Sequence, residues 1–597
     1  MSTPTSQATD LAGPLPVETR WQPARTDWFS SLINRVNQLS ASPARVFGLL
    51  LLLAVGYWGG EYALRDLWEP DEARFAYVAE EMRADGHWLV PHRHGEYYAH
   101  KPPLMFWLMN AAGAVTGTGI NAFTARLPTL LGAVAALWSV WMLMVLWGWR
   151  AVAPWAVLIC ATTYLFWKQG GWGQIDMLLC GLQMLGVYFL FAQDQTRSVK
   201  RALLAYVFMG LAILAKGPVG FLVPWGAYLT AKLAAGERAD LKRWHWVWGP
   251  LVTLAFPAFW LLLAWQSHPP EGYLRELLFA QNLERVQGEF GHRRPFYYFL
   301  LHFPLDGLPW TLWLPFAWLA LGGTLEDRAL RRRLAGWILF VIAFFTLSSS
   351  KRNLYILLAY PALAMLIAAG WAGIRKTHAA RGLASALSSL PLVVGLGMVA
   401  AGLVSLGAPT VLPVDLRWAL AAGVIVLAVT WSIRRASRVD PGAERLTTQS
   451  LARLVLPLLI AFASVGTFVL PGLNAIKTPR ELIPLAETRL RSGEPLHLYR
   501  INGEIQAWYA GRRGAFVADE AALQQVIATQ PHGLIVAEKG RRGRAPSPNQ
   551  LPLHRLPNVR HGEFQMGSKT MLWAEWSPDT GTTEPRPDAS QPGAGEE

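Results

Sequence analysis

Cysteine and charge are what this sequence has least of. Only Cys160 and Cys180 occur in 597 residues, and both lie inside apolar runs. They form neither a spaced framework nor a CxxC pair, which excludes a disulfide scaffold and a cysteine metal site. Charged residues make up 16% of the chain, against roughly 25% in ordinary soluble proteins. Acid is the scarcer sign, with 40 Asp and Glu against 54 Lys and Arg. No GxGxxG fingerprint follows a strand-like run, so nothing supports a dinucleotide site. No small-residue cleavage site closes the first apolar run, which is therefore expected to stay as a membrane anchor.

Apolar length is what the sequence has in excess. Hydrophobic residues make up 52% of the chain and gather in runs of about 18 or more, enough to cross a hydrocarbon core of roughly 30 Å as helices. Thirteen spans are predicted, near 45–64, 127–147, 151–168, 176–193, 202–216, 218–232, 246–266, 298–322, 335–349, 354–374, 385–407, 417–433 and 453–470. The shorter run at 103–117, after a double proline, reads as an interfacial or re-entrant helix. The chain is thus expected to be a mainly α, polytopic membrane protein, and soluble, disordered and disulfide-rich classes are excluded.

The basic residues orient it. Arg20, Arg25, Arg35 and Arg45 precede or open the first span, and Arg197, Lys200 and Arg201, then Arg328 and Arg331 to Arg333, then Arg434, Arg435 and Arg438 fall in alternate connections. By the positive-inside rule these segments are cytoplasmic, which puts the N-terminus inside and the C-terminus in the periplasm. Much of the net charge of +14 then reflects topology, which weakens a nucleic-acid reading. The predicted layout is a cytoplasmic tail at 1–44, a membrane domain at 45–470 with outer loops 65–126 and 268–297, a small α/β periplasmic domain at 471–575, and a disordered tail at 576–597. The α/β reading rests on β-like runs at 496–501, 515–518 and 533–537, with helix-like stretches at 503–510 and 519–529.

Charges that topology leaves unexplained cluster on the outer side: Asp71, Glu72, Arg74, Lys101, Asp176, Lys216, Arg293, Arg294, Lys351 and Arg352. A charge at membrane depth is costly and is retained where it has a partner or a task. The cations come from separate connections and suit a phosphate held as a leaving group. A carboxylate beside such a phosphate suits a general base acting on an acceptor hydroxyl. Helix-end Lys and Arg also snorkel to headgroups, which is the plainer explanation for any one of them. The stretch with His87, His92, His94 and His100 fits no standard zinc spacing.

Several separated motifs also carry a resemblance. WEPDEARFAYVAEEMRADGHWLVPHRHGEYYAHKPPLMFWL at 68–108, ARLP at 125–128, GQID at 173–176, AKGP at 215–218, RPFYYF at 294–299 and SSSKRNLYILLAYPALA at 348–364 follow one another in order. The region from 45 to about 375 resembles the GT-C glycosyltransferases that use polyprenyl-phosphate sugars. Within them it is most similar to the bacterial branch of aminoarabinose transferases and protein mannosyltransferases.

That resemblance implies a function and a set of roles. Asp71, with Glu72 beside it and Asp176 from the second loop, would be the catalytic carboxylates. Arg74, Lys101, Lys216, Arg293, Arg294, Lys351, Arg352 and Tyr355 would hold the donor phosphate, and Tyr98, Phe296, Tyr297 and Tyr298 would shape the cavity wall. The donor would be an undecaprenyl-phosphate sugar and the acceptor lipid A or another envelope glycan, in an inverting transfer at the periplasmic face of the inner membrane. A protein acceptor, or lipid transport instead of transfer, is the alternative. The relatives typically carry Glu-Lys-Pro where this chain has HKPP from His100, which leaves a hexose or another pentose open. No cofactor is required, and a divalent metal, if held, would fall to His100 and His292.

Overall fold

The computed structural model describes residues 42–237, 245–278, 294–407, 414–436, 444–541 and 550–577. The chain divides into two compact units, Met1–Ala475 and Ile476–Glu597. The described part of the first is mainly helical, with one short antiparallel hairpin, His92–Arg93 against Glu96–Tyr97. Its opening helix, Pro43–Leu64, starts at Ser42, whose side chain accepts from the Arg45 amide, and has proline at a first-turn position that needs no amide donor.

All thirteen predicted runs are helical, but they are not thirteen uniform rods. Among the described residues seven helices have the length and apolar composition to cross a membrane, or eight with one bent pair. The run at 151–168 is that pair, Arg150–Ala161 and Tyr164–Gly171, bent by 69°. The run at 298–322 is broken into Tyr298–Asp306, a short turn at Trp310–Trp313, and Leu314–Ala320. Pro304, Gly307 and Pro309 cluster at this break, where proline removes an amide donor and glycine weakens the helix. The helix after the double proline, Leu104–Thr116, has 13 residues.

Close helix packing sets the position of the motif-bearing loops. A Cβ on Gly181 would lie 2.3 Å from the Gly132 carbonyl oxygen, so Leu127–Leu146 and Ile175–Thr196 meet backbone to backbone. Small residues permit that approach where lipid supplies little hydrophobic drive. Both helices begin at the same end, which brings Arg126 and the Gly173 to Asp176 turn together. Nearby, Val199–Lys216 stops at Gly217, whose φ of 83° only glycine takes readily, and Pro218 leads into Val219–Ala235. Lys216 is therefore the last residue of its helix, where the dipole favours a cation.

The second unit is a five-stranded mixed sheet with helices. Its order is Gly514–Val517, Leu496–Tyr499, Gly533–Arg541, Lys569–Trp576 and Arg560–Met566, the first three parallel and the last two antiparallel to their neighbours. Helices Glu504–Ala510 and Glu520–Thr529 connect the parallel strands. The last two strands are absent from the sequence reading, and they correct the boundary of the tail. Trp576 ends a strand and is fully buried, because Gly567, at φ 62°, turns the chain back into a hairpin.

Candidate functional site

The loop after the first helix opens with two adjacent carboxylates on the first turn of Asp71–Asp85. They have opposite environments. Glu72 is sealed, with its side chain and those of Arg65 and Arg126 all at 0% exposure. It accepts from Arg65 Nη1 at 2.7 Å and Nη2 at 3.0 Å, from Arg126 Nε at 2.8 Å, and from the Gly173 amide at 2.7 Å. Arg65 also reaches Glu61 at 2.9 Å, and its guanidinium lies 4.7 Å from the Trp68 ring centroid and 5.1 Å from that of Trp172. Burial opposes the Glu72 charge, but Arg126 and Arg65 outweigh it and hold its carboxyl far below the usual range. With every lone-pair direction occupied, this carboxylate ties the loop to two helices.

Asp71 is also buried, but its cationic partners reach the surface. It pairs with Arg74 one turn on, accepts from Arg352 Nη2 at 3.0 Å, and accepts from Gln174 Nε2 at 3.0 Å. Burial again works against the charge, while Arg74, Arg352 and Lys101 prevail and lower its pKa. Arg352 also feels Asp176, and Asp176 forms an ion pair with Lys216, whose ammonium stands 5.0 Å from the Tyr355 ring centroid. The result is two neighbouring clusters, Arg74–Asp71–Arg352 and Asp176–Lys216, drawn from four separate segments. Four cations, counting Lys101, face two carboxylates, an excess suited to an anion. Arg74 and Arg352 keep 23% and 36% of their side-chain surface exposed, so a ligand can reach them.

Two apolar cavities meet at Lys216. One, of about 360 Å³, is headed by Asp176 and Lys216 and walled by Leu179, Phe344, Phe345 and Tyr355. The other, of about 530 Å³, holds Lys101 and Lys216 at its polar end and Leu254, Trp260 and Leu278 along its wall. Lys216, Pro218 and Leu222 border both. Each cavity therefore pairs a charged mouth with a greasy body, the shape of a site for a lipid with a phosphate head.

The same arrangement of helices is found in a solved structure. Over 88% of this chain and 97% of the other, the fold matches ArnT from Cupriavidus metallidurans bound to undecaprenyl phosphate, with a TM-score of 0.67 and 20% identity. Residues 100–265 match the family model described as dolichyl-phosphate-mannose-protein mannosyltransferase. Among curated proteins, the undecaprenyl phosphate-alpha-4-amino-4-deoxy-L-arabinose arabinosyl transferase of Shewanella sediminis is 30% identical over 54% of this chain and 58% of its own length. That of Edwardsiella ictaluri is 30% identical over 59% and 64%. The chain thus shares the fold of that structure and is similar in sequence to these transferases. It is a multi-pass membrane protein, and it spans about three fifths of the length of the curated relatives it matches.

Set on this frame of helices, the expected site residues separate. Asp71, Asp176, Arg74, Lys216, Arg352 and Tyr355 come together, and Lys101 acts on Asp71 from the second cavity. Glu72 does not join them: assigning it a catalytic role is corrected by its burial among Arg65, Arg126 and backbone amides. The Lys351 ammonium is turned to the carbonyls of Arg294, at 3.3 Å, and Ser348, so this side chain braces its own turn. Arg294 is exposed, and its amide donates to the Ser349 carbonyl at 3.3 Å. Phe296 and Tyr297 are 72% and 47% exposed and line neither of these two cavities. Tyr298 is half-buried against His302, and Tyr98 is buried with its ring stacked on His100.

Arg293 and His292 lie outside the described residues. His100 Nε2 stands 3.8 Å from Glu276 Oε1, and among the described residues no three His, Cys, Asp or Glu gather around one point. The residue that sequence reasoning missed is Gln174, which donates to Asp71 and is buried. Its signal was present: it stands two residues before Asp176 in the GQID motif already singled out.

Proposed function

We propose that this chain transfers a sugar from undecaprenyl phosphate to a lipid or glycan acceptor such as lipid A, at the periplasmic face of the bacterial inner membrane. The carrying observation is the pair of charge clusters, Arg74–Asp71–Arg352 and Asp176–Lys216, with Lys216 bordering two apolar cavities. One cavity takes the polyprenyl tail of the donor and the other the apolar part of the acceptor, with the N-terminus cytoplasmic and the C-terminal unit periplasmic.

The chemistry follows from which charges are movable. The donor phosphate competes with Asp71 for Arg74 and Arg352, and their withdrawal frees the carboxylate for the acceptor hydroxyl. That oxygen attacks the anomeric carbon opposite the phosphate, and the hydroxyl proton passes to Asp71. The bond from the anomeric carbon to the phosphate oxygen breaks with its electron pair on that oxygen, leaving undecaprenyl phosphate. Inversion results from the opposed approach. Arg352, Arg74, Lys101 and Lys216 stabilise the charge gathering on the leaving phosphate, a preorganised electrostatic contribution. Asp176 holds Arg352 and Lys216 in register. The mechanism needs no cofactor.

The relatives' names favour 4-amino-4-deoxy-L-arabinose as the sugar, while His100 in place of the family's glutamate leaves a hexose or another pentose to be tested. The matching mannosyltransferase family model supports a second reading in which the acceptor is a protein hydroxyl. The test incubates purified protein with undecaprenyl-phosphate sugars of different heads and each acceptor class, and follows release of undecaprenyl phosphate. Acceptor-dependent release is expected for one sugar. Lipid movement across liposomes without release from any donor would replace transfer with transport.

A further inference from the structure

A second concentration of positive charge lies at the other end of the first unit. The Arg352 to Tyr355 turn leads into helix Ala359–Gly370, a rise of roughly 18 Å at 1.5 Å per residue, and Arg375 follows at its far end. There a cavity of about 890 Å³ is lined by Arg375, Lys376, Arg381, Arg434 and Arg453, with Glu444 as its one carboxylate among the described residues. Leu446 and Leu454 give it an apolar wall.

The rim of the pocket is held by backbone hydrogen bonds. Two chain segments close its rim as a short zipper: the Lys376 amide donates to the Glu444 carbonyl at 2.8 Å, and the Leu446 amide to the Ile374 carbonyl at 2.9 Å. From the facing helix, Arg453 Nη2 donates to the Arg434 carbonyl at 2.9 Å, so two arginines from different helices stand together. Arg453 sits on the second turn of Thr448–Ser464, inside the helix and half-buried.

Membrane sidedness explains why cations lie at this end, since it counts charges near helix ends. It does not require them to converge on one concave surface with an apolar side. Like charges held together cost energy unless an anion joins them. A basic pocket between membrane helices is the form in which anionic lipid headgroups are held.

We propose that this pocket binds a phosphate-bearing anion, with the phosphodiester head of an anionic membrane phospholipid as the form its apolar wall suits. The site is separate from Asp71 and independent of the transfer reaction. Its test uses the full chain in detergent, with native mass spectrometry after addition of phosphatidylglycerol or phosphatidylcholine, and with thermal unfolding in inorganic phosphate.

The wild-type protein should retain phosphatidylglycerol about a hundredfold better than phosphatidylcholine. The triple variant Arg375→Gln, Arg381→Gln, Arg453→Gln should lose that preference by about a hundredfold, at roughly fivefold for each cation near the membrane surface. The matching triple Lys variant, which keeps charge and guards against misfolding as the cause, should retain most of it. If inorganic phosphate stabilises the wild type but not the Gln variant, and phosphatidylglycerol is not preferred, the site stands and its source is soluble phosphate. Equal retention of both lipids with no phosphate effect, or the same behaviour in wild type and Gln variant, would overturn the proposal.

Discussion

Asp71 and Glu72 are adjacent in the chain, yet they belong to two different ionic networks. Around Glu72 every charge has a partner and no side-chain surface is left, with Glu61, Arg65, Glu72 and Arg126 closed under Trp68 and Trp172. Around Asp71 the cations outnumber the carboxylates, and Arg74 and Arg352 stay open to a ligand. One network is complete and holds the loop in place; the other is incomplete and can exchange partners. The difference teaches that at membrane depth an ion pair marks a working site when it is left unbalanced and reachable, not merely when it is present.

The sharpest way to break this contrast is to exchange the effects of the two carboxylates. Asp71→Asn should lower transfer by roughly 10² to 10⁴, the usual range for a general base, while detergent-solubilised protein unfolds within a few degrees of wild type. Glu72→Ala should act the other way, costing about 3–5 kcal/mol because it strands two buried guanidinium groups, and should appear as loss of folded protein in size-exclusion chromatography. A Glu72→Ala protein that is stable yet inactive would put this residue back into the chemistry.

Arg352→Gln probes the link between the two carboxylates. It should weaken donor binding by about tenfold to a hundredfold, as expected for a lost charge-assisted contact worth about 1.5–3 kcal/mol, seen as a raised KM for the undecaprenyl-phosphate sugar. The smallest effect concerns acid. The pKa values of Asp71 and Glu72 are both lowered on folding, so the stability they contribute is fully present above the unfolded carboxylate value of about 4. It is lost as pH falls through the depressed folded values. Thermal stability should therefore owe no slope to these groups between about pH 5 and 8 and should drop only on stronger acidification, a drop that Glu72→Gln should reduce.

The apolar runs were legible because a helix needs only local length and composition, and each run did become helical. Their breaks near Gly307 and their short segments were less so, since a hydropathy window averages over a Pro304 or a Pro309. In the C-terminal unit the parallel strands were visible as β-branched and aliphatic runs, whereas Arg560–Met566 and Lys569–Trp576 were hidden by charged residues on one face. The glycine-containing turn at Gly567 was the available sign. At the site, Asp71, Asp176, Lys216 and Arg352 stood out as charges that sidedness did not need. Nothing local distinguished Glu72 from Asp71, because its partners Arg65 and Arg126 lie 7 and 54 residues away.

By itself the sequence determined that this chain is a helical membrane protein with excess charge beside certain spans, because the cost of placing polar groups in hydrocarbon is written residue by residue. Which of those charges face a ligand and which are sealed was decided only by tertiary structure. Burial and pairing depend on how Gly132 and Gly181 let two helices close, and on where the Gly173 and Lys351 turns then fall. Those distances run across the chain, so no local pattern records them.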